Sequence, residues 1–379
     1  MAAIAADYDG AIDDAESSID AYDLERSLSI SADVRVAFFG SAIEFLDQSA
    51  SIDLLRSRWR LKATSNLTPY LRFSSRVAGL CSTEECSPNL TWESSTPTRN
   101  GMADGDITID EAYFHWYRRE RFDLALGRMQ TRFVARGGVF ARSLDRNDSN
   151  NTNVNWTDGV HATYRGGNGW NSHLVLQYNP EDGPTSIRRG PLDFSDSAAR
   201  ISYFAGFENL QRTPWFLQRA VDITYMPSSL SVNGALDDYY AFVLRSANRW
   251  PERDEGMRVR VATELGYAPN TQSRASSGLT GRGDTSGLAW NVVVSLMDFS
   301  PNHSVGINYG EVGAGWLISP QFRNNESLVE LRYLWRWSRN LAFDARIRHR
   351  KQLRRLMASD NLASENDFFL RFTWGGTIR

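Results

Sequence analysis

From Leu55 onward the chain alternates. In Leu55-Arg-Ser-Arg-Trp-Arg-Leu-Lys-Ala63 the apolar residues Leu55, Trp59, Leu61 and Ala63 fall on one parity, and Arg56, Arg58, Arg60 and Lys62 fall on the other. A repeat of two marks a strand with one apolar and one polar face. The same repeat returns in Val160, Ala162 and Tyr164 against His161, Thr163 and Arg165, and in Met257, Val259, Val261 and Leu265 against Arg258, Arg260, Ala262 and Glu264. Near the end it recurs twice more, with Val329, Leu331, Tyr333 and Trp335 set against Glu330, Arg332 and Arg336, and Leu341, Phe343, Ala345 and Ile347 set against Asp344, Arg346 and Arg348. The pattern predicts about sixteen strands of roughly 8 to 12 residues, near 28–39, 55–63, 67–80, 107–118, 121–128, 158–165, 169–179, 198–207, 215–226, 238–249, 257–267, 288–296, 303–310, 327–337, 341–350 and 367–374.

The connections carry the next step. Short ones follow every even strand: Thr64 to Asn66, Arg119-Glu120, Gly166 to Asn168, Glu208 to Pro214, Trp250 to Gly256, Met297 to Asn302 and Ser338 to Asn340. The others are long: Gly40 to Leu54, Cys81 to Asp106, Met129 to Thr157, Pro180 to Ser197, Pro227 to Asp237, Ala268 to Gly287, Glu311 to Glu326 and Lys351 to Asn366. A soluble sandwich has no reason to sort its connections by length onto two ends. A closed transmembrane antiparallel β-barrel does, with short periplasmic turns and long extracellular loops. Strands of this length also fit a tilted crossing of a bilayer. Aromatic residues close to the strand ends, such as Trp116, Tyr164, Trp170, Tyr178, Tyr225, Tyr309, Trp337 and Trp374, fit the two girdles of such a barrel. The expected fold class is therefore all-β.

Composition agrees. The 379 residues are 41% hydrophobic and 12% aromatic, and no stretch is long and apolar enough for a spanning helix. A mean hydropathy of −0.43 does not oppose a barrel, because one face of each strand and all the loops are wet. Residues 1–27 form an acidic N-terminal segment, expected to be disordered or periplasmic, and 28–379 form a single barrel domain. No basic and apolar leader opens the chain, so the expectation of a bacterial outer-membrane location carries with it a signal peptide already removed. Cys81 and Cys86 bracket Ser-Thr-Glu-Glu with no His nearby in sequence, which favours a small loop disulfide over a metal site.

With the apolar parity in lipid, the other parity lines a lumen. Arg56, Arg58, Arg60, Lys62, Arg72, Arg76, Arg332, Arg336, Arg346, Arg348 and Arg350 make that wall basic, tempered by Glu330 and Asp344, although the formal net charge of the chain is −3. A cationic wall attracts anions into a narrow passage. The alternative is that these Arg hydrogen-bond neighbouring acids and stiffen the wall. The third long loop, 129–157, holds Phe133, Val134, Val139, Phe140 and Leu144, too apolar for a loop in water. It is expected to fold inward and bring Arg132, Arg136 and Arg142, with Arg128 at its root, into a constriction; packing on the rim or against a neighbouring subunit is the other reading. Asp145, Asn147 and Ser149 place oxygen side chains at alternate positions as a structural Ca2+ loop would, yet the central Gly is missing and Trp156 stands where the bidentate Glu belongs. No other cofactor is expected.

Sixteen strands with an inward third loop resemble the general Gram-negative porins. Asp110-Glu-Ala-Tyr113, followed by Phe122-Asp-Leu-Ala-Leu-Gly127-Arg128-Met129, is similar to the corresponding hairpin of the phosphate-selective porin O/P-like family. That resemblance implies a homotrimer that conducts anions and contacts outer-membrane lipid and lipopolysaccharide. Two departures keep phosphate specificity out of the expectation: Gly375-Gly-Thr-Ile-Arg379 follows the last aromatic, and no coiled coil precedes the barrel. The five His lie on different strands, and no hydrolase, zincin or phosphate-loop motif occurs, so no enzyme is expected. Net acidity and dispersed basic residues argue against nucleic acid. The functional expectation is a passive diffusion channel for small hydrophilic solutes with anion preference. The alternative is a plugged barrel serving as a scaffold or surface receptor for a partner protein.

Overall fold

The computed structural model describes residues 28–45, 48–91, 104–118, 121–131, 133–142, 144, 157–179, 200–210, 215–232, 235–250, 256–319, 322–359 and 361–377. The acidic segment 1–27 lies outside them. Sixteen long strands follow one another: β1 (Leu28–Phe45), β2 (Gln48–Thr68), β3 (Leu71–Ser82), β4 (Asp106–Arg118), β5 (Phe122–Met129), β6 (Thr157–Arg165), β7 (Trp170–Asn179), β8 (Arg200–Asn209), β9 (Phe216–Val232), β10 (Ala235–Trp250), β11 (Arg258–Tyr267), β12 (Leu288–Ser300), β13 (His303–Val312), β14 (Glu326–Arg336), β15 (Leu341–Gln352) and β16 (Ser364–Thr377). Each pairs antiparallel with the next. The last then pairs with the first, from Ser31 opposite Thr377 to Glu44 opposite Ser364. The sheet is a closed all-β barrel, and no long strand is left with an open edge among the described residues.

Burial follows the parity of the sequence. Along β10, Tyr239, Ala241, Val243, Arg245, Ala247 and Arg249 are buried, while Tyr240, Phe242 and Leu244 between them are exposed. Along β2, Arg58 and Arg60 are buried and Leu55, Trp59 and Leu61 exposed. In a closed sheet the exposed apolar parity is the outside surface and the buried, mostly polar parity the inside. No helix among the described residues is long and apolar enough to cross a membrane.

Two boundaries differ from the alternation reading. The segment Gly40 to Leu54 is not a loop, because β1 and β2 remain paired up to Phe45 opposite Gln48. Pro227 to Asp237 likewise pairs as far as Val232 opposite Ala235. In both, polar residues on either face hide the period of two while the backbone ladder continues. With 18 and 21 residues, β1 and β2 reach about 60 Å or more along their length, well beyond a bilayer core. The turn after β2 also sits later than Thr64 to Asn66, at Pro69-Tyr70, where Thr68 Oγ1 accepts from the Tyr70 N–H at 3.2 Å. Proline suits the first corner of such a turn.

Exposed aromatics gather near the short-turn end. Tyr70, Trp116, Tyr164, Trp170, Trp215, Trp250, Trp337 and Trp374 are all exposed, with Trp215 and Trp250 at 6.2 Å and Trp335 stacked on Trp337 at 5.0 Å between ring centroids. A second set, Tyr203, Tyr225 and Tyr240, stacks toward the other end. Tyr178 is the exception, at only 5% exposure. Cys81 and Cys86 form a disulfide.

Ile307 lies in the middle of β13, is 54% exposed and sits between Val294 and Leu331 of the flanking strands. Ile307→Arg is expected to lower the stability of the barrel in lipid vesicles by about 2–4 kcal/mol, read by denaturant titration, with Ile307→Leu near the parent. An I307R barrel of parental stability would show that this face does not meet hydrocarbon.

Candidate functional site: the barrel interior

Residues 133–142 and Leu144 lie against the inside wall. Ala135 and Arg136 pair with Arg142 and Ala141 in a small two-stranded ribbon. Ala135, Val139 and Phe140 form one buried cluster with the inward Ala247, Ala262, Val293, Leu334 and Ala342 of β10, β11, β12, β14 and β15. The segment is also hydrogen-bonded into the wall. Gln218 of β9 accepts the Arg136 N–H at 3.0 Å and donates to the Val134 carbonyl at 3.1 Å. Ser295 of β12 donates to the Gly137 carbonyl at 2.5 Å and accepts the Val139 N–H at 3.3 Å. At the far end the Leu144 N–H reaches Glu264 of β11 at 3.3 Å, and Asn291 of β12 donates to the other oxygen of the same carboxylate at 3.1 Å. At the near end Phe133 stacks on Phe204 of β8 at 4.1 Å.

A second insertion accompanies it. Trp316, Ile318 and Phe322, from the connection between β13 and β14, are buried with Leu144, Tyr239, Ala241, Val243, Ala289 and Leu328. Trp316 Nε1 donates to the Leu144 carbonyl at 3.0 Å, and Tyr239 Oη accepts the Leu317 N–H at 3.1 Å. The signal was available in the sequence, since Trp316-Leu-Ile318 is as apolar as the segment around Phe140. Two glycines make room for these rings. A Cβ on Gly306 of β13 would stand 2.7 Å from both Phe140 and Val139, and one on Gly266 of β11 would stand 2.5 Å from Trp316.

The remaining wall, from β14 through the closure to β4, is charged. Most of its cations are held by carboxylates, on an adjacent strand or one strand further round. Arg58 pairs with Asp33 on β1. Arg76 forks onto Asp110 of β4 at 2.9 and 2.7 Å and reaches Glu111 at 2.8 Å, while Arg60 approaches Asp110 at 3.3 Å and Lys62 approaches Glu111 at 2.9 Å. Arg56 binds Asp104 at 2.8 Å, and Arg72 donates to Asn66 at 3.0 Å. Among β14, β15 and β16, Asp344 accepts from both Arg332 and Arg371, Asp367 from Arg348 at 2.6 Å and Arg346 at 3.3 Å, and Glu326 faces Arg350 at 3.3 Å. Arg336 stands 3.8 Å from Asp298. The alternation within β2 showed four bases and no acid; the acids come from β1 and, across β3, from β4 and the connection before it.

Of the residues expected at a constriction, Arg128 is 3% exposed and forks onto Asp158 of β6 at 2.8 and 3.0 Å, which makes it part of the wall. Arg136 sits on the inward segment and is half-buried. For Arg142 the ribbon pairing is described, and Arg132 lies outside the described residues, as do Asp145, Asn147 and Ser149. Four inward residues that the alternation reading passed over are Arg35, Arg245, Arg371 and the His161–His173 pair's partner Glu208; Arg245 pairs with Asp222 at 2.7 Å. Arg245 was hidden because its nearest neighbours on the same parity of β10, Ala241, Val243 and Ala247, are apolar. Among the described residues no three His, Cys, Asp or Glu side chains gather to hold a metal ion.

The architecture has solved counterparts. OprB of Pseudomonas putida aligns over 93% of this chain and 95% of its own, with a TM-score of 0.59 and 9% identity. The anion-selective porin of Comamonas acidovorans aligns over 92% and 100%, with a TM-score of 0.53 and 10% identity. OpdK of Pseudomonas aeruginosa, solved with vanillate, aligns over 93% and 99%, with a TM-score of 0.51 and 11% identity. At such identities the likeness is one of fold: a sixteen-stranded barrel of the porin type. No protein-family model and no curated sequence matches the chain.

Gly306→Leu is expected to push the 133–144 segment off the wall while leaving the strands intact. Limited proteolysis should then cut within 133–144 at least several-fold faster than in the parent, with the boiled and unboiled barrels still migrating apart on a detergent gel. Unchanged cleavage would mean that the segment does not depend on this bed.

Proposed function

We propose that this chain is an outer-membrane porin of a Gram-negative bacterium, a passive channel for small hydrophilic solutes with a preference for anions. The closed barrel with an apolar exterior supports membrane insertion, since hydrocarbon tolerates a sheet only when every backbone group is paired. The inserted segment 133–144 supports a narrowed passage over one half of the wall, facing the charged half. Homotrimeric assembly and contact with lipopolysaccharide belong to the same reading. The solute class is small and anionic, in line with the anion-selective neighbour and with the carboxylate seen in OpdK.

One observation carries the anion preference. Pairing cancels most of the wall's formal charge, so the sign that matters is that of the groups still reaching water. In several open pairs the cation is the outer partner: Arg56 is 25% exposed over Asp104 at 12%, Lys62 30% over Glu111 at 5%, and Arg336 36% over Asp298 at 18%. Long basic side chains extend past the carboxylates that hold them. An anion entering the lumen thus meets ammonium and guanidinium groups, with the acids set behind them. Weak attraction of this kind concentrates a solute without trapping it.

Planar-bilayer recording in a salt gradient tests the reading. The parent is expected to show a reversal potential on the anion side, and Arg56→Glu with Lys62→Glu to shift it toward cations by more than Arg253→Glu does. Arg136→Ala is expected to shift it in the same direction. A silent barrel would sink the channel and favour the scaffold reading, and an open but cation-preferring parent would sink the anion preference alone.

A further inference from the structure

Where the inward segment begins, three inward side chains of β6 and β7 converge. His161 Nε2 lies 3.3 Å from His173 Nδ1, Thr163 Oγ1 lies 3.3 Å from the first, and it lies 3.1 Å from the second. The pairing of β6 with β7 sets this triangle: Thr163 stands directly opposite His173, and His161 is two residues away on the same face. Three donors at such mutual distances form one face of a coordination polyhedron. Around an ion with bonds of about 2.0–2.1 Å to imidazole nitrogen, tetrahedral ligands stand about 3.3–3.4 Å apart. The observed edges match that spacing with almost no movement of the side chains.

The surroundings prepare the triangle for an ion. Glu208 of β8 lies 3.2 Å from His173 Nε2. A carboxylate there holds the proton on Nε2, so that Nδ1 presents its lone pair to the triangle. This carboxylate–imidazole arrangement orients a metal-bound His and raises its basicity. Glu208 is itself fixed, since its second oxygen accepts from Gln218 Nε2 at 3.2 Å. The side chain of His173 retains 11% exposure and that of Glu208 15%, so the donors are held but not sealed. Phe133 packs edge-on against both imidazoles, at 5.8 Å from His161 and 5.4 Å from His173.

We infer that His161, His173 and Thr163 form a lumenal binding site for a borderline divalent transition ion of the Zn2+, Ni2+ or Cu2+ class, with Glu208 as the positioning carboxylate behind His173. Imidazole selects this class over Ca2+ and Mg2+, which take oxygen cages. The third donor is a hydroxyl, so the site rests on two strong ligands and leaves the remaining positions to water. That combination gives reversible binding. The bound ion would cross-link β6 and β7 beneath Phe133, at the root of the inward segment. The inference does not rest on the channel reading.

The test uses the untagged full chain in detergent, with Zn2+ as the probe. Calorimetry is expected to show one saturable site, lost by at least tenfold in His161→Ala and in His173→Ala, unchanged in His349→Ala, and weakened about 10–100-fold in Glu208→Gln. A measurement on the parent alone guards against misfolded variants: Zn2+ should slow acylation of His161 and His173 by diethyl pyrocarbonate, read by mass spectrometry, and leave His349 unaffected. Ca2+ should do neither. Equal Zn2+ binding in the parent and in both His variants, or acylation of His161 and His173 at the same rate with and without Zn2+, would overturn the site. Conductance enters neither readout, so a silent barrel that binds Zn2+ would refute the channel and leave the site standing.

Discussion

Every other feature of this molecule depends on the pairing of β1 with β16. In the membrane setting proposed above, hydrocarbon offers a backbone amide no partner, and each unpaired group there costs several kcal/mol. A run of fourteen residue pairs, from Ser31 opposite Thr377 to Glu44 opposite Ser364, removes the two edges that a sixteen-stranded sheet would otherwise present. Once the sheet is closed, the two faces of each strand meet different solvents, and the period of two in the sequence becomes a division between outside and inside. Val34, Val36 and Phe38 on β1 are exposed, whereas Asp33 and Arg35 are buried.

Closure also creates the problem that the interior solves. Inward side chains of adjacent strands are only about 5 Å apart, so a wall rich in arginine would repel itself. The answer is interleaving. Arg58 finds Asp33 on one neighbour and Arg60 finds Asp110, and Asp344 serves two arginines from two strands. Buried ion pairs of this kind fix geometry more than they add net stability. The wall beneath the inward segment is built differently, with Ala247, Ala262, Gly306 and Ala342, whose small size leaves space for Phe140 and Val139.

The fold was legible because parity is a local property. Leu55 to Ala63 announces its two faces within nine residues, and the length contrast between Arg119-Glu120 and Cys81 to Asp106 separates the two ends. What was not legible depends on neighbours in the sheet. The partner of Arg58 lies 25 residues away on another strand, and the register that brings them together is that of the β1–β2 pairing, up to Phe45 opposite Gln48, where alternation fades. Arg245 was masked by Ala241, Val243 and Ala247 of its own parity, which are apolar because the insertions lie on them. The His161–Thr163–His173 triangle needed the pairing of β6 with β7 before three ordinary strand residues became a cluster. The apolar character of Trp316 to Phe322 was readable by the same criterion that singled out Phe140, although its destination was not.

The fit of Gly306 under Phe140, and of Gly266 under Trp316, has an evolutionary corollary. Neither partner of such a couple can change size alone: a methyl on the strand requires a smaller ring on the insertion, and loss of the ring leaves a hollow that a larger strand residue would fill. Lineages descending from this barrel should therefore inherit glycine and aromatic together or exchange them in concert, so that the history of the narrowing is written in pairs of positions far apart in the chain.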